Sequence, residues 1–121
     1  MTQDLRKIVD RIPASWGKYV SVGPGWYDII IELDKNLAAL DPAYTIQQVK
    51  EKFGGLRYYC EPSENLSGTG LDIFGDLVRQ AESLSQITCD VCGGPGKLVN
   101  IRGWYSTRCD DDKDDKIESF R

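Results

Sequence analysis

The chain has 121 residues, enough for a single domain over 1-121 with a modest core, and 40% hydrophobic content with three Trp, six Tyr and three Phe is a globular composition. A net charge of -4 argues against general binding to nucleic-acid phosphates. The absence of histidine excludes Ser-His and Cys-His catalytic arrangements, the zinc deaminase pattern and histidine-based metalloprotease motifs.

Met1 to Asp10 is polar, without the apolar run of a secretory leader, and no stretch approaches the roughly eighteen apolar residues of a membrane span. A cytoplasmic chain with reduced thiols and no membrane partner is expected, which favours metal over disulfides for its four cysteines.

Thr2 to Ile12 reads as a short amphipathic helix. Leu5, Ile8, Val9 and Ile12 share a face, Thr2 can cap it, and Pro13 ends it. Pro13 to Gly25 is a loop in which Lys18 to Val22 can form a short strand. Trp26 to Leu40 carries the clearest helical period, with Trp26, Ile29, Ile30, Leu33, Leu37 and Leu40 on one stripe and Asp41-Pro42 as the stop. Asp28 and Glu32 lie one turn apart on it. Carboxylates at that spacing can bind a metal, although a solvated face is the plainer reading.

Thr45 to Glu61 reads as a β-hairpin around Gly54-Gly55. A tight turn there sets Phe53 against Leu56, Glu51 against Tyr58 and Val49 against Cys60. Lys50, Lys52, Arg57 and Tyr59 then line the other face, a basic and aromatic strip that can contact phosphates or an acidic partner. A helix from Thr45 to Phe53 is the competing local reading, and the β-branched residues favour the hairpin. Leu71 to Leu84 is a further helix, with Leu71, Phe74, Leu77, Val78, Ala81 and Leu84 along one side.

Cys89 and Cys92 are two residues apart, and Cys109 follows in the spacing of a structural zinc site. Two intervening residues let a tight turn aim both thiolates at one ion, and Gly93-Gly94 supply the open backbone such a turn needs. Tetrahedral Zn2+ requires a fourth ligand. Asp112 stands at the expected position; a neighbouring Asp, Cys60 and water are alternatives. Redox chemistry fits poorly, because Gly-Gly-Pro-Gly after Cys92 cannot begin the helix that activates such a thiol. Lys97 to Ile101 and Trp104 to Thr107 read as two short strands around Arg102-Gly103. In the acidic tail, Asp110, Asp112 and Asp114 match the first positions of a calcium loop, but Asp115 and Arg121 break the pattern.

The expected fold is α+β: helices packed on a β-hairpin or small antiparallel sheet, with a C-terminal zinc-ribbon-like knuckle over 88-112 and an acidic tail after it. Gly25-Trp26-Tyr27, the run Val49-Lys50-Glu51-Lys52-Phe53-Gly54-Gly55-Leu56-Arg57-Tyr58-Tyr59, the Cys89-x2-Cys92-Gly93 turn and Gly103-Trp104 to Cys109 resemble small uncharacterised proteins of phages and prophages. In that group the last cysteine is often followed by histidine as C-x2-H; Asp112 holds that position here. The resemblance implies a phage or mobile-element origin. Together with small size, acidity and the missing catalytic set, it leads to the expectation of a non-enzymatic accessory protein that binds another protein, such as an inhibitor of a host defence system. A nucleic-acid-binding zinc module acting through Lys50, Lys52, Arg57, Tyr59, Lys97, Arg102 and Arg108 is the alternative. A metal-dependent hydrolase using Asp28 and Glu32 or the Asp tail is a third reading. Trp16, Trp26, Tyr27 and Trp104 are expected chiefly in the core.

Overall fold

The structure, a computed structural model, describes residues 3–113. The Thr2 cap and the calcium-loop positions Asp114, Asp115 and Arg121 lie outside the described residues.

Helix α1 spans Gln3–Asp10 and buries Leu5 and Ile8. Single 3-10 turns at Ala14–Trp16 and Pro24–Trp26 flank the two-residue strand β1, Val20–Ser21. Helix α2 is Tyr27–Leu40, one residue later than its period suggests, because Trp26 belongs to the preceding 3-10 turn. The hairpin strands are β2, Thr45–Lys52, and β3, Gly55–Glu61. Helix α3 is Thr69–Ser85, and a second hairpin pairs β4, Lys97–Ile101, with β5, Trp104–Arg108. None of the helices in the described residues is long and apolar enough to cross a membrane.

The β2–β3 pairing differs from the expected register. Lys52 pairs with Gly55, Lys50 with Arg57 and Val49 with Tyr58. The turn is Phe53-Gly54, both at positive φ of 53° and 84°, the left-handed pair that matches the twist of a two-residue hairpin. Gly55 therefore begins β3 instead of ending the turn. The turn moves by one residue, but each strand keeps its faces, since partner numbers change by two. An irregularity between Ile46 and Gln48 leaves Gln47 extra. The sheet is also not wholly antiparallel. β1 runs parallel to β2, Val20 against Val49, with α2 as the crossover that a parallel pair requires.

Ile46, Val49, Leu56 and Tyr58 face inward to meet Ile8, Ile12, Trp26, Ile30 and Leu37 in one hydrophobic cluster. Helix α3 closes the outer edge of β3: the Leu56 N–H donates to Ser85 Oγ at 3.0 Å and the Tyr58 N–H to Glu82 Oε2 at 2.9 Å. Those bonds satisfy strand donors that would otherwise invite another chain.

A polar network is buried with the core. Arg11 Nε donates to Asp34 Oδ1 at 2.7 Å, the Tyr44 hydroxyl donates to the same oxygen, and the Tyr44 and Tyr58 hydroxyls are 2.7 Å apart. The Arg11 guanidinium also lies 4.7 Å from the Tyr44 ring centroid. Burial is the main cause that lifts both phenol pKa values far above the usual range, so these groups serve as neutral donors.

Candidate metal centre

After α3, residues 86–88 carry the chain to Cys89. An isolated bridge pairs Thr88 with Pro95 and closes the loop between them. Inside it the Cys89 N–H donates to Gly94 O at 2.7 Å and the Gly93 N–H to Cys89 O at 2.9 Å. Gly93 has φ 83°, the open backbone expected after the second cysteine. The Gly94 N–H lies 3.4 Å from Cys92 Sγ and by itself favours a thiolate, but hydrogen bonding to Asp112 and Cys89 together with burial raises the thiol above its ordinary value. Strand β5 delivers Cys109 from the other side, and the Asp112 N–H bonds back to Cys109 O at 3.2 Å, folding the carboxylate over the thiols.

Cys89, Cys92, Cys109 and Asp112 converge, each offering one ligand atom, with all four atoms within 4.8 Å of one another. Cys92 Sγ and Cys109 Sγ are 3.7 Å apart. Asp112 Oδ2 lies 3.1 Å from Cys109 Sγ and 3.4 Å from Cys89 Sγ. Metal–sulfur bonds of about 2.3 Å and metal–oxygen bonds of about 2.0–2.2 Å at tetrahedral angles imply S···S near 3.8 Å and S···O near 3.5 Å. The four donors thus lie close enough together to hold one metal ion. All four cysteines are free thiols, and 3.7 Å far exceeds the ~2.05 Å of a disulfide. Cys60, the rival fourth ligand, is not in the cluster: it pairs with Ile46 at the far end of β3. Among the described residues, Asp28 and Glu32 join no group of three or more metal-ligating side chains.

Cys109 and Asp112 compete for a proton. Hydrogen bonding to the Asp112 carboxylate pushes the Cys109 thiol up to about 12. The same bond, seen from the carboxylate, holds Asp112 below its ordinary value. A bound cation would displace those protons.

Behind the ligands sits Arg108, fully buried. Its Nε donates to Asp90 Oδ1 at 3.0 Å, and its Nη1 reaches Asp112 O at 3.4 Å. Asp90 is the residue between Cys89 and Val91, so the guanidinium ties the first cysteine turn to the last ligand. This corrects the assignment of Arg108 to a nucleic-acid surface: it is spent inside the fold.

The cysteine turn docks on the start of α2. The Trp26 indole N–H donates to Thr88 O at 2.8 Å and the Gly25 N–H to Asp90 O at 3.0 Å. A Cβ at Gly25 would stand 2.1 Å from Cys89 O, so only glycine permits this approach. On the other side, Thr107 Oγ1 donates to Gly54 O at 2.7 Å, joining β5 to the β2–β3 turn.

That junction places Lys50, Lys52 and Arg57 beside aromatics from both hairpins. Phe53 is 71% exposed at the turn, and Trp104 is 55% exposed across a shallow groove that Lys50, Glu51, Lys52 and Tyr105 also line. Arg57 flanks the other side of the turn with Leu98 and Gln86. Tyr59 shares the outward sheet face but opens on a separate groove of about 750 Å3, with Trp16, Cys60 and Leu71. Lys97 and Arg102 are exposed on the second hairpin. Trp26 is core as expected, whereas Trp16 and Trp104 are not.

No family model, no curated protein and no solved structure matches this chain.

Proposed function

We propose that this is a small, non-enzymatic zinc-binding protein, a phage or prophage accessory, that docks an acidic segment of another protein. In this reading Cys89, Cys92, Cys109 and Asp112 form a zinc-ribbon-like knuckle whose role is structural. Three thiolates and a carboxylate fill four positions and leave no place for a substrate water. The observation that carries the docking role is the patch at the hairpin junction. Exposed Phe53, Trp104 and Tyr105 stand among Lys50, Lys52 and Arg57 on a chain of net charge -4. Clustered aromatics beside cations are the composition of interface hot spots, and the local charge complements an acidic partner. Inhibition of a host defence complex, of CRISPR or restriction type, is the sharpest form of this role. It rests on small size, acidity and the phage resemblance.

The test uses zinc-loaded protein titrated with a peptide of mixed Glu and Tyr residues, and separately with single-stranded oligo-dT, following tryptophan fluorescence with a Trp104→Phe variant to identify the share of Trp104. Peptide binding that weakens at least tenfold in Lys50→Glu/Lys52→Glu is expected. Equal peptide binding by that variant would remove the reading. Binding of the oligonucleotide alone would reassign the face to a nucleic-acid module, in which bases stack on the same aromatics.

A further inference from the structure

We propose that two copies of this chain pair through α3, antiparallel, about a twofold axis at Gln80. The core side of α3 is the stripe of Phe74, Val78, Ala81 and Ser85. Roughly 100° round the helix runs a second apolar stripe: Ile73, Leu77, Gln80, Leu84 and, just past the helix end, Ile87. Ile73 is 44% exposed, Leu84 47% and Ile87 63%, with Gln80 also exposed, while Leu77 is half-buried against the core, so the fold leaves most of this stripe uncovered.

Its spacing is four, three, four, three, the interval of a coiled-coil seam. Its order is also palindromic: Ile, Leu, Gln, Leu, Ile. A twofold interface must be self-complementary, residue i meeting j and j meeting i. Turned end to end about Gln80, the stripe sets Ile73 on Ile87 and brings Leu77 beside Leu84 with an offset of one residue, about 1.5 Å along the helix. The two Gln80 side chains then meet at the axis, where each amide offers both a donor and an acceptor. A lone polar residue in such a seam fixes register and lowers stability. This symmetry selects a second copy over an unrelated helix.

The groove between α2 and α3 extends the seam. It holds about 290 Å3 and is walled by Ile29, Leu33, Leu77 and Leu84. The seam is about 21 Å long at 1.5 Å per residue. Five side chains along it bury on the order of a few hundred Å2 per copy. A stable complex of standard size buries roughly 800 Å2 per partner, so this dimer depends on concentration. Asp28 and Glu32 also line the groove. Two copies bring these carboxylates together, and salt relieves that repulsion.

This pairing is independent of the docking face, whose residues lie on the two hairpins. Sedimentation equilibrium of the zinc-loaded, reduced protein at about 0.5 M salt tests it, since charge-driven docking is screened there. The expected result is a mass rising with concentration from 13.6 kDa towards twice that value. Gln80→Leu is expected to tighten the association at least tenfold. Ile73→Lys and Ile87→Glu, each alone, are expected to sediment as monomers with unchanged helical signal. Their equimolar mixture is expected to regain the dimer, because one junction becomes Lys opposite Glu and the other stays Ile opposite Ile. A wild type that stays at monomer mass at millimolar concentration would overturn the proposal. So would a mixture that stays monomeric.

Discussion

Arg108 and Asp90 meet 3.0 Å apart with both side chains withdrawn from water, and their contact joins the strand that carries Cys109 to the turn that carries Cys89. Buried pairs add little net stability over a well-packed apolar replacement, but losing one partner strands the other charge. Asp90→Ala and Arg108→Ala are each expected to lower unfolding free energy by about 3–5 kcal/mol in urea melts. The double variant is expected to lose much less than the sum, and strict additivity would show the two charges to be uncoupled.

Metal content is the second measurement. One zinc per chain is expected by mass spectrometry of the native protein, with Cys109→Ser and Asp112→Ala binding more weakly. Asp112→His supplies the nitrogen donor of a Cys3His site and is expected to bind zinc more tightly than wild type. Zinc retention equal to wild type in Cys109→Ser would dissolve the four-ligand assignment. Uptake by the apoprotein is expected to release protons and to strengthen as pH rises, because thiols must ionise to bind.

Gly25→Ala places a methyl group within 2.1 Å of Cys89 O and 2.7 Å of Gly93 N. Both obstacles are backbone, so they cannot swing aside. The cysteine turn must lift from α2, breaking the Gly25 N–H to Asp90 O bond. A loss of about 1–3 kcal/mol is expected, as for other overpacked sites. Trp26 emission is expected to shift as its indole loses Thr88 O.

Asp41 sets an acid limit. Burial pushes its pKa up, but the Ser63 hydroxyl at 2.7 Å and the Ser63 N–H at 2.6 Å, helped by the Ala43 backbone, hold it below the ordinary value. A depressed folded pKa contributes stability that is complete above the unfolded value, about 3.9, and is lost as pH falls through the folded one. Stability is therefore expected to fall below about pH 4. Asp41→Asn is expected to flatten that part of the profile and to be less stable than wild type near pH 7. An unchanged acid slope in Asp41→Asn would assign the loss to other carboxylates.

The long helices were legible because their apolar residues keep one period from end to end, as Ile29, Ile30, Leu33 and Leu37 do on α2. The cysteine cluster was legible because spacing alone restricts how two thiolates and a distant third can meet. The hairpin turn was misplaced because Gly54-Gly55 satisfies every sequence rule for a turn, whereas a left-handed Phe53 satisfies none. Its outward face survived that error through parity. Arg108 gave no signal: an arginine in a polar run next to aspartates reads as surface, and only three-dimensional closure reveals Asp90 opposite. The Arg11–Asp34–Tyr44–Tyr58 network was equally hidden, since its members come from four segments.

The bond from Trp26 to Thr88 spans 62 positions and carries a temporal consequence. The residues of the hydrophobic cluster run from Leu5 to Ala81, all upstream of Cys89, the first residue of the candidate metal centre. A ribosome adding about 5–20 residues per second needs on the order of seconds to pass from Ala81 to Cys109, whereas collapse of a ~100-residue chain takes about 10–100 μs. The core residues therefore leave the ribosome before Cys89, Cys92 and Cys109, so the helices and first sheet can condense ahead of the cluster. Capture of a metal ion would then follow formation of the core, and a metal-starved cell would accumulate a folded body with its second hairpin undocked.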